Sequence, residues 1–437
     1  MKRSTAQLFC FVIVLIVARG QASDVRKDLN YDESKVVPYT LPDPLIAQNR
    51  TAITDTATWQ TKRRGELLEL FKSQVYGRSP NSPQGMIFRL TDNDPSALGG
   101  KATRREVAIR ICDTPDSPEI HVLVYIPNGS RGPYPAFLIM NFQGNHELVA
   151  DPGVTINKRW VWERKQEVRL LPAESTRGAS GDMQWPLERV IERGYALVTF
   201  DRNEIEPDYL PAGWRRGVRG FYLKQSGRGA FAADEWGTLG AWAWGMSRVL
   251  DYLETDSHID AEKVVLMGHS RIGKAALWAG AQDERFAIVI SNNSGEGGAS
   301  LTRRNFGETL ALLARKRPNW FCGNYQRYAG KETELGVDQH ELIALMAPRP
   351  VYVASAETDR GADPCGEFLA AKHAEPVYRL FGKAGLGVED PPPLDTPIGD
   401  YIGYHQRSGD HGLKAYDWER FMDFADRHFD RLKVTHR

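Results

Sequence analysis

Short, nearly continuous apolar runs alternate with longer amphipathic ones along most of this 437-residue chain. The runs YPAFLIMN (134–141), YALVTFD (195–201), KVVLMG (263–268), FAIVIS (286–291), RPVYVAS (349–355) and VYRLFG (377–382) read as strands buried on both faces. Helical spacing falls between them, in WPLERVIERG, LGAWAWGMSRVLDYLETD and GKAALWAGAQDE. Strand, helix, strand repeated in this way predicts a mostly parallel sheet with crossover helices on both faces. Upstream, REVAIRIC and EIHVLVYIP alternate with a period of two and are joined by a proline-bearing turn at 113–118. They predict neighbouring antiparallel strands. Leu67, Leu68, Leu70 and Phe71 predict an earlier helix, and KAYDWERFMDFADRHF a final one. No linker or internal repeat interrupts the pattern. A single α/β domain over 23–437 is therefore expected, with 23–95 as a wrapping segment and helix. Long insertions fall at 142–184, 202–235 and 296–340.

Charge narrows the partners. Lys+Arg and Asp+Glu number 56 each, and no basic run is long enough for a nucleic-acid arm. Neither nucleic acid nor an anionic membrane is expected as a partner. Lys2 and Arg3 precede the apolar run Leu8–Ala18, with small residues at Gly20 and Ala22. This is the layout of a cleavable secretory signal over 1–22, and the run is too short to span a bilayer. Export to the periplasm or beyond follows. Cys112, Cys322 and Cys365 would remain, an odd count with Cys322–Cys365 as the candidate bridge. Neither C-x-x-C nor H-E-x-x-H occurs, so no metal or other cofactor is expected. The chain is expected to be monomeric.

The chemistry concentrates behind one strand. Gly268-His269-Ser270-Arg271-Ile272-Gly273-Lys274 puts a serine on a turn between KVVLM and an alanine-rich helix. That is the position of a nucleophile elbow, with free backbone N–H groups nearby to hold an oxyanion. The spacing is G-x-S-x-x-G, one residue longer than the usual pentapeptide. An α/β-hydrolase fold is expected, a three-layer α/β/α sandwich with long insertions around the site. In that fold the chain order is serine, acid, histidine. His411, in the loop SGDHGL before the final helix, is the preferred base. His405 is read as a surface or supporting histidine in the same loop, and His428 and His436 as exposed. Asp359 is the preferred acid and Glu357 the alternative, both following the strand that ends near Ser355; Asp363 reads as a turn residue. The segment with Asn292, Asn293 and Glu296 offers a second place for the acid.

Taken in order, GHSRIGK, SNNSGEGGAS, DQHELIALMAPRPVYVASAETD and GDHGL resemble the glucuronoyl esterases, carbohydrate esterase family fifteen. The MNFQGNHE loop resembles the bacterial branch. The resemblance implies cleavage of esters between lignin alcohols and the (4-O-methyl-)glucuronic acid branches of xylan, without a metal. It makes Ser270 the nucleophile, His411 the base and Arg271 the oxyanion residue. Lys274 and Glu308 become sugar contacts, and Trp320 and Arg360 complete the candidate substrate-binding set. Several positions depart from the family pattern. Asn293 stands where fungal members place the catalytic glutamate, which passes the acid role to Asp359. Arg360 and Gly361 stand where a sugar-stacking tryptophan is often found. His269 and Gly412 occupy the two positions that a disulfide joins in fungal members. An acetyl xylan esterase of the same fold is the alternative activity, and a non-catalytic carbohydrate-binding protein the alternative class.

Overall fold

Alternation along the central strands divides the interior into two cores. In β4 (Tyr134–Asn141), Leu138 and Met140 join one buried cluster, whereas Phe137 and Ile139 join the other. A strand whose side chains point both ways into apolar surroundings must lie between two helical layers. The structure, a computed structural model, describes residues 29–129, 132–181, 183–210 and 212–435. The expected signal, 1–22, lies outside the described residues, as does His436.

Upstream of β4 lie β1 (Ile87–Asp94), β2 (Ala102–Arg110) and β3 (Glu119–Pro127). Downstream come the hairpin β5 (Arg159–Glu163) and β6 (Gln166–Leu170), then β7 (Ala196–Asp201), β8 (Ile259–His269) and β9 (Ile288–Asn292). The last strands are β10 (Val351–Ala356), β11 (Ile398–Gly399) and β12 (Ile402–Arg407). Ten of them form one sheet in the order β1-β2-β3-β7-β4-β8-β9-β10-β12-β11. The stretch from β7 to β12 is parallel throughout, and antiparallel strands flank it at both edges.

Helices cover both faces. On one face lie α1 (Arg64–Gln74), α3 (Thr238–Leu253), α4 (Arg271–Gln282) and α5 (Pro364–Leu380); α2 (Leu187–Glu192) and α6 (Ala415–Thr435) lie on the other. The fold is the expected three-layer sandwich. One predicted strand is wrong: VYRLFG forms the end of α5. That helix begins at Asp363, whose side chain accepts from the Gly366 N–H, with Pro364 in the first turn. Its buried face, including Phe368, Ala371, Ala374, Val377 and Tyr378, has helical spacing. The strand expected before the histidine loop is instead β12, whose sequence IGYHQR is half polar.

Cys112, Cys322 and Cys365 are all free thiols, so the candidate Cys322–Cys365 bridge is absent. Among the described residues, no helix is long and apolar enough to cross a membrane.

Candidate active site

Parallel strands leave their carboxyl ends on one edge, and loops after β4, β8, β10 and β12 meet there. Ser270 stands between β8 and α4 with φ 57° and ψ −132°. A non-glycine residue in this region is strained, and the neighbouring contacts hold it there. Its N–H donates to the Asn292 carbonyl at 2.8 Å, and its own carbonyl accepts from Gly273 N–H at 2.8 Å. Gly268 makes the turn sterically feasible, since a Cβ there would lie 2.4 Å from the Ile272 carbonyl oxygen. Gly273 sits close against Gly268 and Ser294, which explains the spacing of the second glycine.

A cleft of about 310 Å³ opens over this turn. Ser270, Arg271, His269 and His411 line it, together with the apolar side chains of Phe142, Leu148, Met183 and Trp185. His411 Nδ1 lies 2.6 Å from Asp359 Oδ2, and the same oxygen accepts from Asn293 Nδ2 at 3.2 Å. Glu357 is exposed, and its backbone N–H pairs with Arg407. Asn293 itself adopts φ 49°, in the left-handed region. Asp363, which the sequence suggests as a turn residue, is buried and caps α5 while pairing with Arg304.

Arg271 does not swing freely. Its guanidinium donates to Asp208 Oδ2 at 2.7 Å and lies over the Trp320 ring, 5.1 Å from the centroid. Asp208 also accepts from Arg202 at 2.8 Å and from the Trp320 indole N–H at 2.8 Å. Burial would raise the Asp208 carboxyl, but the two guanidiniums outweigh it and hold the group well below the usual carboxylate range.

Lys274 is buried, and its ammonium donates to the carbonyls of Ser294 and Glu296. It faces Glu308 at 4.0 Å and the Trp320 ring at 6.0 Å. Burial lowers the lysine, against the pull of Glu308 and Glu296. Lys274, Glu308 and Trp320 thus form one group on the Arg271 side of the nucleophile, outside the apolar cleft. Arg360 lies over the Tyr31 ring, 5.7 Å from its centroid.

His405 is not in the histidine loop. It sits in β12, wholly buried between the Tyr352 hydroxyl and Asp417, each at 2.9 Å. His428 is also buried, with Nε2 3.0 Å from the Asp400 carbonyl oxygen.

Residues that sequence reasoning did not single out complete the site. Asp208 lies in an insertion and carries no local motif. His269 bonds Asn292 Oδ1 at 2.6 Å and packs on the His411 ring at 4.6 Å between centroids. Burial, reinforced by the neighbouring His411, pushes it down to about 3. Glu147 lines the cleft, and burial pushes it up to about 7. A polar residue in an apolar cleft is only visible once the loop is folded.

The parallel sheet with antiparallel edges, and the strained serine between strand and helix, define an α/β-hydrolase. Its relatives narrow the assignment. The family model described as "Glucuronyl esterase, fungi" matches residues 179–382. The carbohydrate esterase MZ0003, from an unknown prokaryotic organism, is 41% identical over 97% of this chain and 98% of its own. The 4-O-methyl-glucuronoyl methylesterase of Phanerochaete carnosa is 31% identical over 78% of this chain and 72% of its own. The solved glucuronoyl esterase from Solibacter usitatus superimposes with a TM-score of 0.86 at 44% identity, covering 90% of this chain and 99% of that one. The chain belongs to the glucuronoyl esterases, carbohydrate esterase family 15, and is a carboxylic ester hydrolase.

Proposed function

We propose that this chain hydrolyses esters of (4-O-methyl-)glucuronic acid, as in lignin–glucuronoxylan linkages, through Ser270, His411 and Asp359. One observation carries the residue assignment: the Asp359–His411 pair and the strained Ser270 meet at a single cleft. Ser270 Oγ attacks the ester carbonyl while His411 takes its proton. Asp359 fixes the ring orientation and stabilises the imidazolium. Negative charge develops on the carbonyl oxygen, beside the first N–H groups of α4 and the Arg271 guanidinium. The alcohol leaves with the proton from His411, and water then releases the uronic acid from the acyl-enzyme.

The division of the site suggests where each half of the ester sits. The uronate lies towards Arg271, Lys274, Glu308 and Trp320, where charge and hydrogen-bonding groups are concentrated. The leaving alcohol fills the apolar cleft against Phe142, Leu148, Met183 and Trp185. Residues 23–437 act as one catalytic unit, exported under the direction of 1–22 to meet a cell-wall substrate. Purified protein is assayed on benzyl and methyl glucuronate beside matched galacturonate and acetate esters. Ser270-dependent turnover of the glucuronates is expected; acetate release outpacing glucuronate release contradicts it.

A further inference from the structure

A second, larger depression lies beside the catalytic cleft, built from the insertions at 142–184 and 202–235 and the edge near β3. Its volume is about 890 Å³, and eight Lys or Arg side chains line it against three carboxylates. The whole chain carries no net charge, so this excess is local. Half of the eight cations pair with carboxylates, as Arg216 does with Glu167 at 3.0 Å. Lys158, Arg169 and Arg215 form no ion pair among the described residues, whereas the charge of Arg159 acts on Glu147 and Asp201.

The groove also contains an aromatic wall. Trp160 in β5 stands directly across the hairpin from Arg169 in β6, and Arg216 stacks on its ring at 4.1 Å. Cross-strand partners share one face of a hairpin, so Arg169 and Trp160 present charge and ring surface together. The groove shares a wall with the catalytic cleft. Arg159 donates to Gln143, at 3.2 Å for Oε1, and the Asn203 amide donates to the Phe142 carbonyl at 3.1 Å. Phe142 and Gln143 line the cleft, while Arg159 and Asn203 line the groove.

We propose that this groove is an accessory binding site for a uronate-bearing polysaccharide, holding unesterified acidic branches of the chain whose ester is being cleaved. Unpaired guanidiniums at a concave surface concentrate anions, and the ring of Trp160 supplies the apolar surface on which a sugar packs. The shared wall lets one polymer engage both sites. The proposal rests on the esterase reading for the identity of the polymer, but its binding test does not require turnover.

The test uses the triple variant Lys158→Ser, Arg169→Ser, Arg215→Ser; all three side chains are exposed, and an unchanged melting temperature verifies the fold. For binding, Ser270→Ala protein with and without the triple change is run through gels containing glucuronoxylan or unsubstituted xylan. Retardation by glucuronoxylan alone, lost in the triple variant and at high salt, is expected. Equal retardation by neutral xylan, or retention unaffected by the triple change, overturns the proposal. Preferential retention of a DNA duplex overturns it as well.

For kinetics, the triple change in the Ser270 enzyme raises KM on glucuronoxylan about five- to tenfold at low ionic strength and leaves a small benzyl glucuronate unaffected. Equal losses on polymer and small ester contradict the groove's role. Glucuronoxylan binding without hydrolysis of any uronate ester sinks the esterase reading and leaves the groove standing.

Discussion

His269 shows how one side chain joins the elbow to the histidine loop. It bonds Asn292 at the end of β9 and packs its ring on His411, linking parts of the site without a covalent bond. The imidazole is buried and titrates at about 3 instead of the usual 6.5. Between those values the unfolded chain binds the extra proton, so stability rises with pH. The contribution is complete above pH 6.5 and is lost as pH falls towards about 3. Thermal unfolding in steps across this window should show the melting temperature falling with acid, and a shallower fall in His269→Asn, which keeps an N–H for Asn292. An identical slope in the variant contradicts this account. The serine and His411 were legible in sequence because each sits in a short local motif with a fixed place in the chain order. Asp208 and the contacts of His269 were not, since they join segments far apart in the chain.

Among the elements, β12 and the start of α6 determine how the histidine loop is held. Arg407, at the end of β12, donates to the carbonyls of Ser408, Asp410 and Gly412, residues that surround His411. Its Nε also pairs with Asp417 at 3.0 Å, and Asp417 accepts from His405 and from the Lys414 N–H. The loop is thereby clamped at both ends by buried charge. Removing one partner of a buried pair leaves the other uncompensated and costs about 3–5 kcal/mol. Asp417→Ala is therefore expected to lower unfolding free energy by about that much in urea titrations. A loss below about 1 kcal/mol would mean that the clamp is weak. This strand escaped the sequence reading because Gly403, His405, Gln406 and Arg407 break its apolar run, although burial reaches nearly every position. The opposite error occurred at 377–382, where a short apolar run is the last turn of an amphipathic helix. Periodicity over six residues does not separate the two cases; the capped start at Asp363 does.

At the scale of the molecule, the sheet does the assembling. Its six parallel strands deliver the elbow after β8, Asn293 after β9, Asp359 after β10 and His411 after β12 to one edge. The parallel sheet was legible because strands buried on both faces are nearly all apolar. The insertions were legible mainly as interruptions, because their contacts carry no period: Glu308 and Trp320 were named from the family resemblance, whereas Asp208 and the basic groove were not. Sequence also left two carboxylates after β10 open for the acid role. The fold separates them: Asp359 reaches His411 at 2.6 Å, while Glu357 is exposed. The account therefore stands on a side-by-side kinetic comparison of Asp359→Asn and Glu357→Gln with a glucuronate ester. It predicts a kcat/KM loss of about three to four orders of magnitude for Asp359→Asn and a change within about threefold for Glu357→Gln. A larger loss from Glu357→Gln, or near-normal turnover in Asp359→Asn, would contradict it.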